Sequence, residues 1–362
     1  MKYIDEYRDS HLAQGLLKRI AERVAGIGRP VTFMEVCGSH TQAIGRYGIR
    51  GLLPPGIRLI SGPGCPVCVT AIRDVDTALH LAARENVIFA TFGDMMRVPG
   101  TKGASLQRLR AEGADIRVIS SAMDGIAFAE AAPDREVIFM GIGFETTAPT
   151  VASMIRAAGQ KGIANLSLFS VHKVVPPALT LLIADPQLKL DGFLCPGHVS
   201  MVLGAGAYAM LPEAGQAAVI AGFEPTDVLE GILMLLEQVE TGRYEVAIQY
   251  KRAVRPEGNP RAMALMDELF EAGDAEWRGL GTIGQSGLFL REAFGEFDAL
   301  RRFEVPELAS EEIPGCACGE ILRGIMEPAD CPLFRRLCTP ANPVGPCMVS
   351  SEGTCSARYR YG

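Results

Sequence analysis

Short apolar runs alternate with helix-like segments through most of the chain. We predict strands over 31–36, 57–60, 87–91, 116–119, 137–140, 166–171, 192–194 and 217–220, and helices over 5–26, 69–85, 102–112, 148–158, 176–184, 201–210 and 225–240. The strand-like runs are continuously apolar, which is typical of parallel strands covered by helices on both faces. The pattern therefore predicts an α/β fold with two tandem parallel-sheet domains of four strands each.

The length of the chain and a change in its texture predict how it is divided. With 362 residues, it exceeds what one hydrophobic core usually organises. Beyond the last predicted helix the sequence becomes charged and rich in glycine, and it then becomes rich in cysteine. We predict α/β domains over 1–130 and 131–245 and a smaller C-terminal cysteine-rich iron-sulfur domain over 246–362.

Charge and hydropathy limit the classes of partner. The net charge is -7 and no basic block occurs, which argues against nucleic acid or an anionic membrane as the main partner. The first residues are polar, and no apolar stretch is long enough to span a bilayer. These features predict a soluble cytoplasmic protein.

The ten cysteines fall into groups. Three lie by residue 68, Cys195 stands alone, and six lie between Cys316 and Cys355. In a reducing compartment, grouped cysteines more often bind metal or do redox chemistry than form a disulfide framework. Cys195 ends an apolar run, and we predict that it is a buried small hydrophobe.

Chemically active side chains directly follow the predicted strands. They are Cys37, His40, Cys65, Cys68, Glu145, Thr146, Thr147, His172 and His198. Because right-handed crossovers place the carboxyl ends of parallel strands at one edge of a sheet, these side chains should lie at the sheet edges. We expect the loops that carry them to line a cleft between the two α/β units.

Two of these groups place thiols where a helix begins. Cys65-Pro-Val-Cys68 follows a strand, in the setting where helix-end amides lower a thiol pKa and a disulfide can open and close. A redox pair is favoured, and zinc ligands or inert thiols are the alternatives. Cys37, with His40 three residues on, is predicted to be a low-pKa thiolate that acts as a nucleophile or a soft iron ligand. A purely structural thiol is the alternative there.

The remaining groups leave more than one interpretation open. Glu145, Thr146 and Thr147 precede a helix and suit binding of an anion or polar ligand through backbone N–H groups, or they only cap that helix. His172 and His198 are candidates for the cleft. The six C-terminal cysteines would hold an iron-sulfur cluster or zinc, although the two close C-x2-C pairs of a zinc ribbon are absent and two thiols are left over.

The assembled motifs resemble, from end to end, the HypD family of hydrogenase maturation factors. They are Glu35-Val-Cys-Gly-Ser-His40, Ser61-Gly-Pro-Gly-Cys-Pro-Val-Cys68, Gly143-Phe-Glu-Thr-Thr-Ala-Pro149, Asp191-Gly-Phe-Leu-Cys-Pro-Gly-His198 and Pro346-Cys-Met-Val-Ser-Ser-Glu-Gly353. The resemblance implies two α/β domains, a third domain with a [4Fe-4S] cluster, and a role in assembling the Fe(CN)2CO group of [NiFe] hydrogenases. It also implies two partners, a HypC-like small chaperone and a HypE-like cyanide donor, with one copy of each protein in a hetero-complex.

The resemblance also implies roles for individual residues. Cys37 would bind the transient Fe(CN)2CO iron, with Cys65 and Cys68 as a redox pair beside it. The cluster spacing of the family selects four ligands, which are Cys316, Cys331, Cys338 and Cys355. A second dithiol remains, formed by Cys318 and Cys347.

Two other classes of function remain open on the sequence alone. A cluster-dependent thiol-disulfide reductase, resembling ferredoxin-thioredoxin reductase, would use the same cysteines but would not need Cys37. A zinc-stabilised binding module would explain the C-terminal cysteines and would be colourless. An assembly scaffold needs Cys37 as well as the C-terminal cysteines.

Overall fold

Two parallel sheets form the framework of the computed structural model, which describes residues 4–362. The strands are β1 (Val31–Glu35), β2 (Ile57–Ser61), β3 (Val87–Phe92), β4 (Ile116–Ile119), β5 (Glu136–Gly141), β6 (Leu166–Ser170), β7 (Gly192–Pro196), β8 (Ala217–Ala221), β9 (Val246–Ile248), β10 (Phe270–Trp277) and β11 (Gly281–Leu290). The first sheet has the order β2-β1-β7-β8-β9, and the second has the order β4-β3-β5-β6. β10 and β11 pair as an antiparallel hairpin.

Helices cover both sheets, as the apolar runs predict. They are α1 (Ser10–Ile27), α2 (Gly38–Arg46), α3 (Ile49–Leu52), α4 (Pro66–Val69), α5 (Ile72–Ala82), α6 (Leu106–Ala111), α7 (Asp124–Ala131), α8 (Ala148–Lys161), α9 (Val175–Ile183), α10 (Gly197–Leu203), α11 (Met210–Glu213), α12 (Pro225–Thr241), α13 (Pro260–Leu269), α14 (Ala299–Arg302), α15 (Cys318–Leu322) and α16 (Thr354–Tyr361). None of the helices formed by residues 4–362 combines the length and apolar character needed to cross a bilayer.

The α/β fold with two parallel sheets is confirmed, but the chain does not fill them one after the other. It leaves the first sheet after β2, builds the whole second sheet from β3 to β6, and returns to the first sheet at β7. The prediction that the first four strands form one unit is therefore wrong. The predicted boundary at 130/131 falls within the second sheet, and the boundary at 245/246 separates β8 from β9, which are paired. An apolar run in the sequence indicates that a strand is buried, but it does not indicate which strand lies beside it in the sheet.

One apolar core is shared by both sheets and the cysteine-rich segment. Met34 of the first sheet, Ile138 of the second and Cys347 near the C-terminus belong to the same buried cluster. The hairpin joins this core through Trp277, which is buried, stacks on Phe144 with ring centroids 5.8 Å apart, and donates from Nε1 to the Ser286 hydroxyl at 2.8 Å. Because burial of a large aromatic ring is strongly favourable, these contacts fix the hairpin against the loop that follows β5 of the second sheet.

The C-terminal segment returns to the first sheet. α16 packs on α2, where Gly45 leaves room for the Tyr361 ring: a Cβ atom at Gly45 would lie 3.0 Å from Tyr361 Cδ2. This packing holds the cysteine-rich segment against the helix that follows Cys37. The fold thereby brings the two groups of cysteines predicted from the sequence to the same side of the molecule.

Candidate functional site

A cleft of about 450 Å³ lies where strands of both sheets end. Loops after β1, β2 and β7 form one side, loops after β3 and β5 form another, and the C-terminal segment contributes Ser350 and Glu352. The predicted cleft between the two α/β units is therefore confirmed. Its lining includes Val36, Cys37, Pro66, Phe92, Asp94, Phe144, Thr146, Thr147, His198 and Glu352.

Cys37 lines this cleft at the start of α2. Its backbone is extended, with φ -148° and ψ 123°, and it occupies the N-cap position of α2, two residues after the end of β1. The Cys37 N–H donates to the Glu35 carboxylate at 3.2 Å, and the Thr41 hydroxyl donates to the same carboxylate at 2.6 Å. Glu35 thus fixes the turn that presents the thiol.

The Cys37 thiol is not the low-pKa group that the sequence predicts. Burial raises its pKa to about 12, whereas the backbone N–H groups of His40 and Ser39 lower it and the nearby Glu352 and Glu35 carboxyls raise it further. The desolvation penalty exceeds the effect of the helix amides because the residue is 7% exposed. Without a metal ion the thiol is protonated at neutral pH, and a metal that binds there must displace its proton.

Glu35 is a buried acid to which the sequence analysis assigned no role. It is fully buried, and burial raises its pKa to about 7 in spite of Arg50, Ser61 and Thr41, which lower it. Arg50 Nη2 lies 3.9 Å from its Oε1. The sequence feature that could have revealed this residue is the presence of a charged side chain near the end of an otherwise apolar run, directly before Val36 and Cys37.

His40 does not line the cleft. Its ring is fully buried, and Nε2 is bonded to the carbonyl oxygens of Gly222 at 2.9 Å and Ala221 at 3.2 Å. Burial lowers its pKa to about 4, so the ring is neutral and donates from Nε2. The side chain ties α2 to the end of β8.

The other two strand-end histidines differ from each other. His198 lines the cleft, as predicted, and stacks on Phe223 with ring centroids 4.1 Å apart. His172 is 1% exposed and lies against the hairpin, where its carbonyl accepts the Leu288 N–H at 3.2 Å. The prediction that His172 belongs to the cleft is wrong, because β11 packs over the end of β6 and covers it.

Glu145, Thr146 and Thr147 point to different places. Thr146 is exposed in the cleft wall, whereas the Thr147 hydroxyl donates to the Ile142 carbonyl at 3.0 Å. The Glu145 carboxylate is buried and accepts the Val175 N–H at 2.9 Å, which anchors the start of α9. Ligand binding by Thr146 and Thr147 remains a prediction. The Glu145 carboxylate is instead hydrogen-bonded to the first turn of α9.

Replacing Glu145 by Gln is expected to remove part of the pH dependence of stability. Burial raises the Glu145 pKa from the ordinary 4.5 to about 7. Its contribution to stability is therefore fully present below about pH 4.5 and is lost as the pH rises through about 7. Between pH 5 and pH 8 the unmodified chain should lose about 2.5 kcal/mol more of its unfolding free energy than Glu145→Gln, which keeps the Val175 acceptor. Urea unfolding at both pH values measures this, and equal losses would contradict it.

Cys65 and Cys68 form a disulfide across the first turn of α4. Their Cα atoms are 5.2 Å apart and both residues are buried. The pair adjoins Cys37 through Gly64, whose carbonyl accepts the Gly38 N–H at 2.8 Å. A Cβ atom at Gly64 would lie 2.1 Å from the Cys37 nitrogen, so only glycine permits this approach. The redox activity of the pair remains a prediction.

The C-terminal cysteines surround a second, small cavity. Five of the six line it, together with apolar residues that include Leu333, Phe334 and Met348; the five are Cys316, Cys318, Cys331, Cys338 and Cys355. Cys347 lies behind them and is fully buried, and burial together with the neighbouring Cys318 and Cys355 thiols raises its pKa. All four predicted cluster ligands therefore share one cavity.

A glycine lies directly against two of these thiols. Gly345 keeps it open, since a Cβ atom there would lie 2.5 Å from Cys318 Sγ and 2.6 Å from Cys316 Sγ. Within residues 4–362, no three His, Cys, Asp or Glu side chains are grouped as ligands of one metal ion. Cysteine thiolates are the donors that an iron-sulfur cluster uses, so the side-chain chemistry of this set is compatible with one.

The disulfide and the cysteine cavity are in contact through the protein. α4 packs against the turn over Pro346–Met348, which contains Cys347, and both belong to the shared apolar core. Cys65–Cys68 thus lies between Cys37 on one side and the C-terminal cysteines on the other. The sequence could not show this, because Cys68 and Cys316 are 248 positions apart.

Fold and site define a two-sheet α/β protein that gathers thiols at its strand ends and in a cysteine-rich tail. The family model HypD, described as "Hydrogenase formation hypA family", matches residues 11–362. The chain is 48% identical over 370 residues to hydrogenase maturation factor HypD2 of Bradyrhizobium diazoefficiens, covering 100% of this chain and 97% of that protein. It is 48% identical to HypD of Cupriavidus necator and 42% identical to HypD of Escherichia coli, with 100% of this chain and 97% and 98% of those proteins covered. The chain therefore belongs to the HypD family of hydrogenase maturation factors.

Proposed function

We propose that this chain is a scaffold on which the Fe(CN)2CO group of [NiFe] hydrogenases is assembled, with the iron held by Cys37. The observation that carries the proposal is Cys37 in the lining of a cleft beside a buried Cys65–Cys68 disulfide. A thiolate is a soft donor suited to iron that carries strong-field ligands. The apolar walls, which include Val36 and Phe144, limit the access of water to such a group.

Binding of iron at Cys37 needs an acceptor for the thiol proton. Glu352 and Asp94 line the same cleft and are the carboxylates available there. Glu352 accepts the Ser39 hydroxyl at 2.8 Å, and burial raises its pKa, which makes it a better proton acceptor than an ordinary glutamate. We assign the proton released from Cys37 to this pair of carboxylates.

The cysteine cavity supports a redox role in the same proposal. Cys316, Cys331, Cys338 and Cys355 would hold a [4Fe-4S] cluster, which supplies single electrons when bound. Cys318 and Cys347 form the second dithiol, and the contact of α4 with Pro346–Met348 leads from it to Cys65–Cys68. Opening that disulfide consumes two electrons and two protons and yields two thiols beside the iron.

A HypC-like chaperone and a HypE-like cyanide donor complete the proposal. These two partners come from the family resemblance of the motifs that line the cleft, among them Cys37 and His198. One copy of each partner is expected in the complex.

Infrared spectroscopy of the anaerobically isolated chain tests the assembly role. Nitrile and metal-carbonyl stretches should be present, and chemical analysis should find about four acid-labile sulfides per chain. A reductase that acts on other proteins would show the sulfide without these stretches. The structure favours the scaffold, because Cys65 is 3% and Cys68 0% exposed and neither can reach the disulfide of another protein without a rearrangement.

A further inference from the structure

A second concave surface lies beside the cysteine cavity and apart from the Cys37 cleft. This groove has a volume of about 720 Å³. One side is formed by 311–314 and 341–344, the segments that lead into Cys316 and follow Cys338. The opposite side carries three basic residues from the segments after β3: Arg97, Lys102 and Arg108. We refer to it below as the basic groove.

Only one layer of backbone separates the basic groove from the sulfur atoms. The Val344 N–H, in the groove wall, donates to Cys338 Sγ at 3.4 Å. The next residue, Gly345, is the one whose missing Cβ atom would lie within 2.6 Å of the sulfurs of Cys316 and Cys318. A partner bound in the groove would therefore lie as close to the cluster ligands as the backbone allows.

The wall of the groove is held in place by the sheet domain. Arg97 donates to the Pro340 carbonyl at 2.9 Å and to the Val349 carbonyl at 3.3 Å, on either side of the wall segment. Asp76 accepts both the Thr101 hydroxyl and the Ser310 hydroxyl at 2.6 Å, so it links the start of the 311–314 segment to the segment that carries Lys102. The groove is therefore a preformed surface, which lowers the ordering cost of binding.

The charges that remain for a partner are positive. Lys102 and Arg108 are exposed, and neither side chain has an acidic partner within residues 4–362. Glu312 is neutralised by Arg278, whose Nη2 lies 2.9 Å from it, which leaves Glu311 as the acidic residue of the lining. On a chain with a net charge of -7, this is a local excess of positive charge.

We propose that the basic groove docks a small acidic electron-carrier protein that reduces the cluster. This inference rests on the proposed function, because that function consumes electrons that must be delivered to the chain by another molecule. Each docked carrier would give up one electron to the cluster when the cluster is bound. Two carriers supply the two electrons that, with two protons from solvent, convert the Cys65–Cys68 disulfide to two thiols.

A protein fits the groove better than a small anion does. Several buried side-chain polar atoms in residues 4–362 lack a hydrogen bond, but none of them belongs to the lining of the groove. Small-ligand sites depend on such convergent, buried polar groups. Cations on an exposed rim instead act at long range, where they steer an oppositely charged protein and make its binding salt-dependent.

The test measures binding of a reduced acidic [2Fe-2S] ferredoxin, used as the probe, to the full anaerobic chain at low salt. The double variant Lys102→Glu/Arg108→Glu should bind at least about tenfold more weakly and should lose most of the salt dependence. Its rate of cluster reduction by the ferredoxin should fall by a similar factor. The control, Lys18→Glu/Arg19→Glu on exposed positions of α1, makes the same change in net charge and should stay within about twofold of the unmodified chain.

Other outcomes separate this proposal from the proposed function. Dithionite needs no docking site and should therefore reduce the cluster of all variants at the same rate. A chain with no reducible chromophore would refute the presence of the cluster, but the measured ferredoxin binding would still test the docking proposal. Equal ferredoxin binding by the basic-groove variant and the unmodified chain would overturn the docking proposal. A second result would also overturn it: inorganic phosphate binds the unmodified chain but not the basic-groove variant, and the ferredoxin binds neither. That result would identify the groove as a small-anion site.

Discussion

Cys37→Ala is expected to lose the nitrile and metal-carbonyl infrared bands while the chain keeps its other iron and its acid-labile sulfide. Among the described residues that line the cleft, Cys37 is the one cysteine, since Cys65 and Cys68 lie behind it and are bonded to each other. Loss of an outer-shell partner alone lowers metal affinity by about 10- to 100-fold, so removal of the ligand should lower iron retention by about 100-fold or more.

The matched control for this experiment is Cys195→Ala. Cys195 is fully buried in β7, and its thiol is 3.9 Å from the carbonyl oxygen of Phe193, away from the cleft lining. Its removal deletes one thiol from the chain and should leave the infrared bands unchanged. If Cys37→Ala retained the bands at the level of this control, Cys37 would not be the iron ligand. Acid-labile sulfide measured on both variants shows whether the cysteine cavity has stayed intact.

The strands could be located from sequence because most of them are buried on both faces and are therefore continuously apolar. The eight predicted runs coincide with β1 to β8 to within two residues at either end. β9 was missed, and so was the β10–β11 hairpin, whose residues are largely exposed and interrupted by glycine and charged side chains. A two-stranded ribbon on the surface has no continuous apolar run to reveal it.

Strand pairing and side-chain burial could not be predicted in the same way. The return of β7 to pair with β1 depends on which apolar faces fit together, and that information is not local to either strand. The positions of Cys37 and His198 follow from the strand ends, whereas His40 and His172 occupy equivalent sequence positions and are buried. The same burial reverses the expected acidity of the Cys37 thiol, because desolvation raises its pKa by more than the amides at the start of the helix lower it.

Close contact between backbones is the feature that joins the cleft to the disulfide, and Gly64→Ala should break it. A Cβ atom at Gly64 would lie 2.1 Å from the Cys37 nitrogen and 2.5 Å from the Cys37 Cα. These are backbone atoms, so no change of rotamer relieves the overlap, and the loop after β2 must move away from the end of β1. We expect a loss of about 3 kcal/mol or more in unfolding free energy, together with a loss of iron retention.

Alanine substitutions at two other glycines provide reference values for the loss of unfolding free energy expected at Gly64. Gly15, on α1, has no atom within 4 Å of its Cβ position, so Gly15→Ala should be neutral or stabilise the helix by about 1 kcal/mol. A Cβ atom at Gly38 would lie 2.5 Å from the Cβ atom of Glu352 and 2.8 Å from its Oε2. Gly38→Ala should have an intermediate cost, because part of this overlap is relieved by rotation of the carboxylate, whereas the overlap at Gly64 involves backbone atoms alone. Urea unfolding of the three variants should give the order Gly15, Gly38, Gly64. If Gly64→Ala were as stable as Gly15→Ala and still held the iron, the strand ends would not need this contact to present Cys37 beside the disulfide.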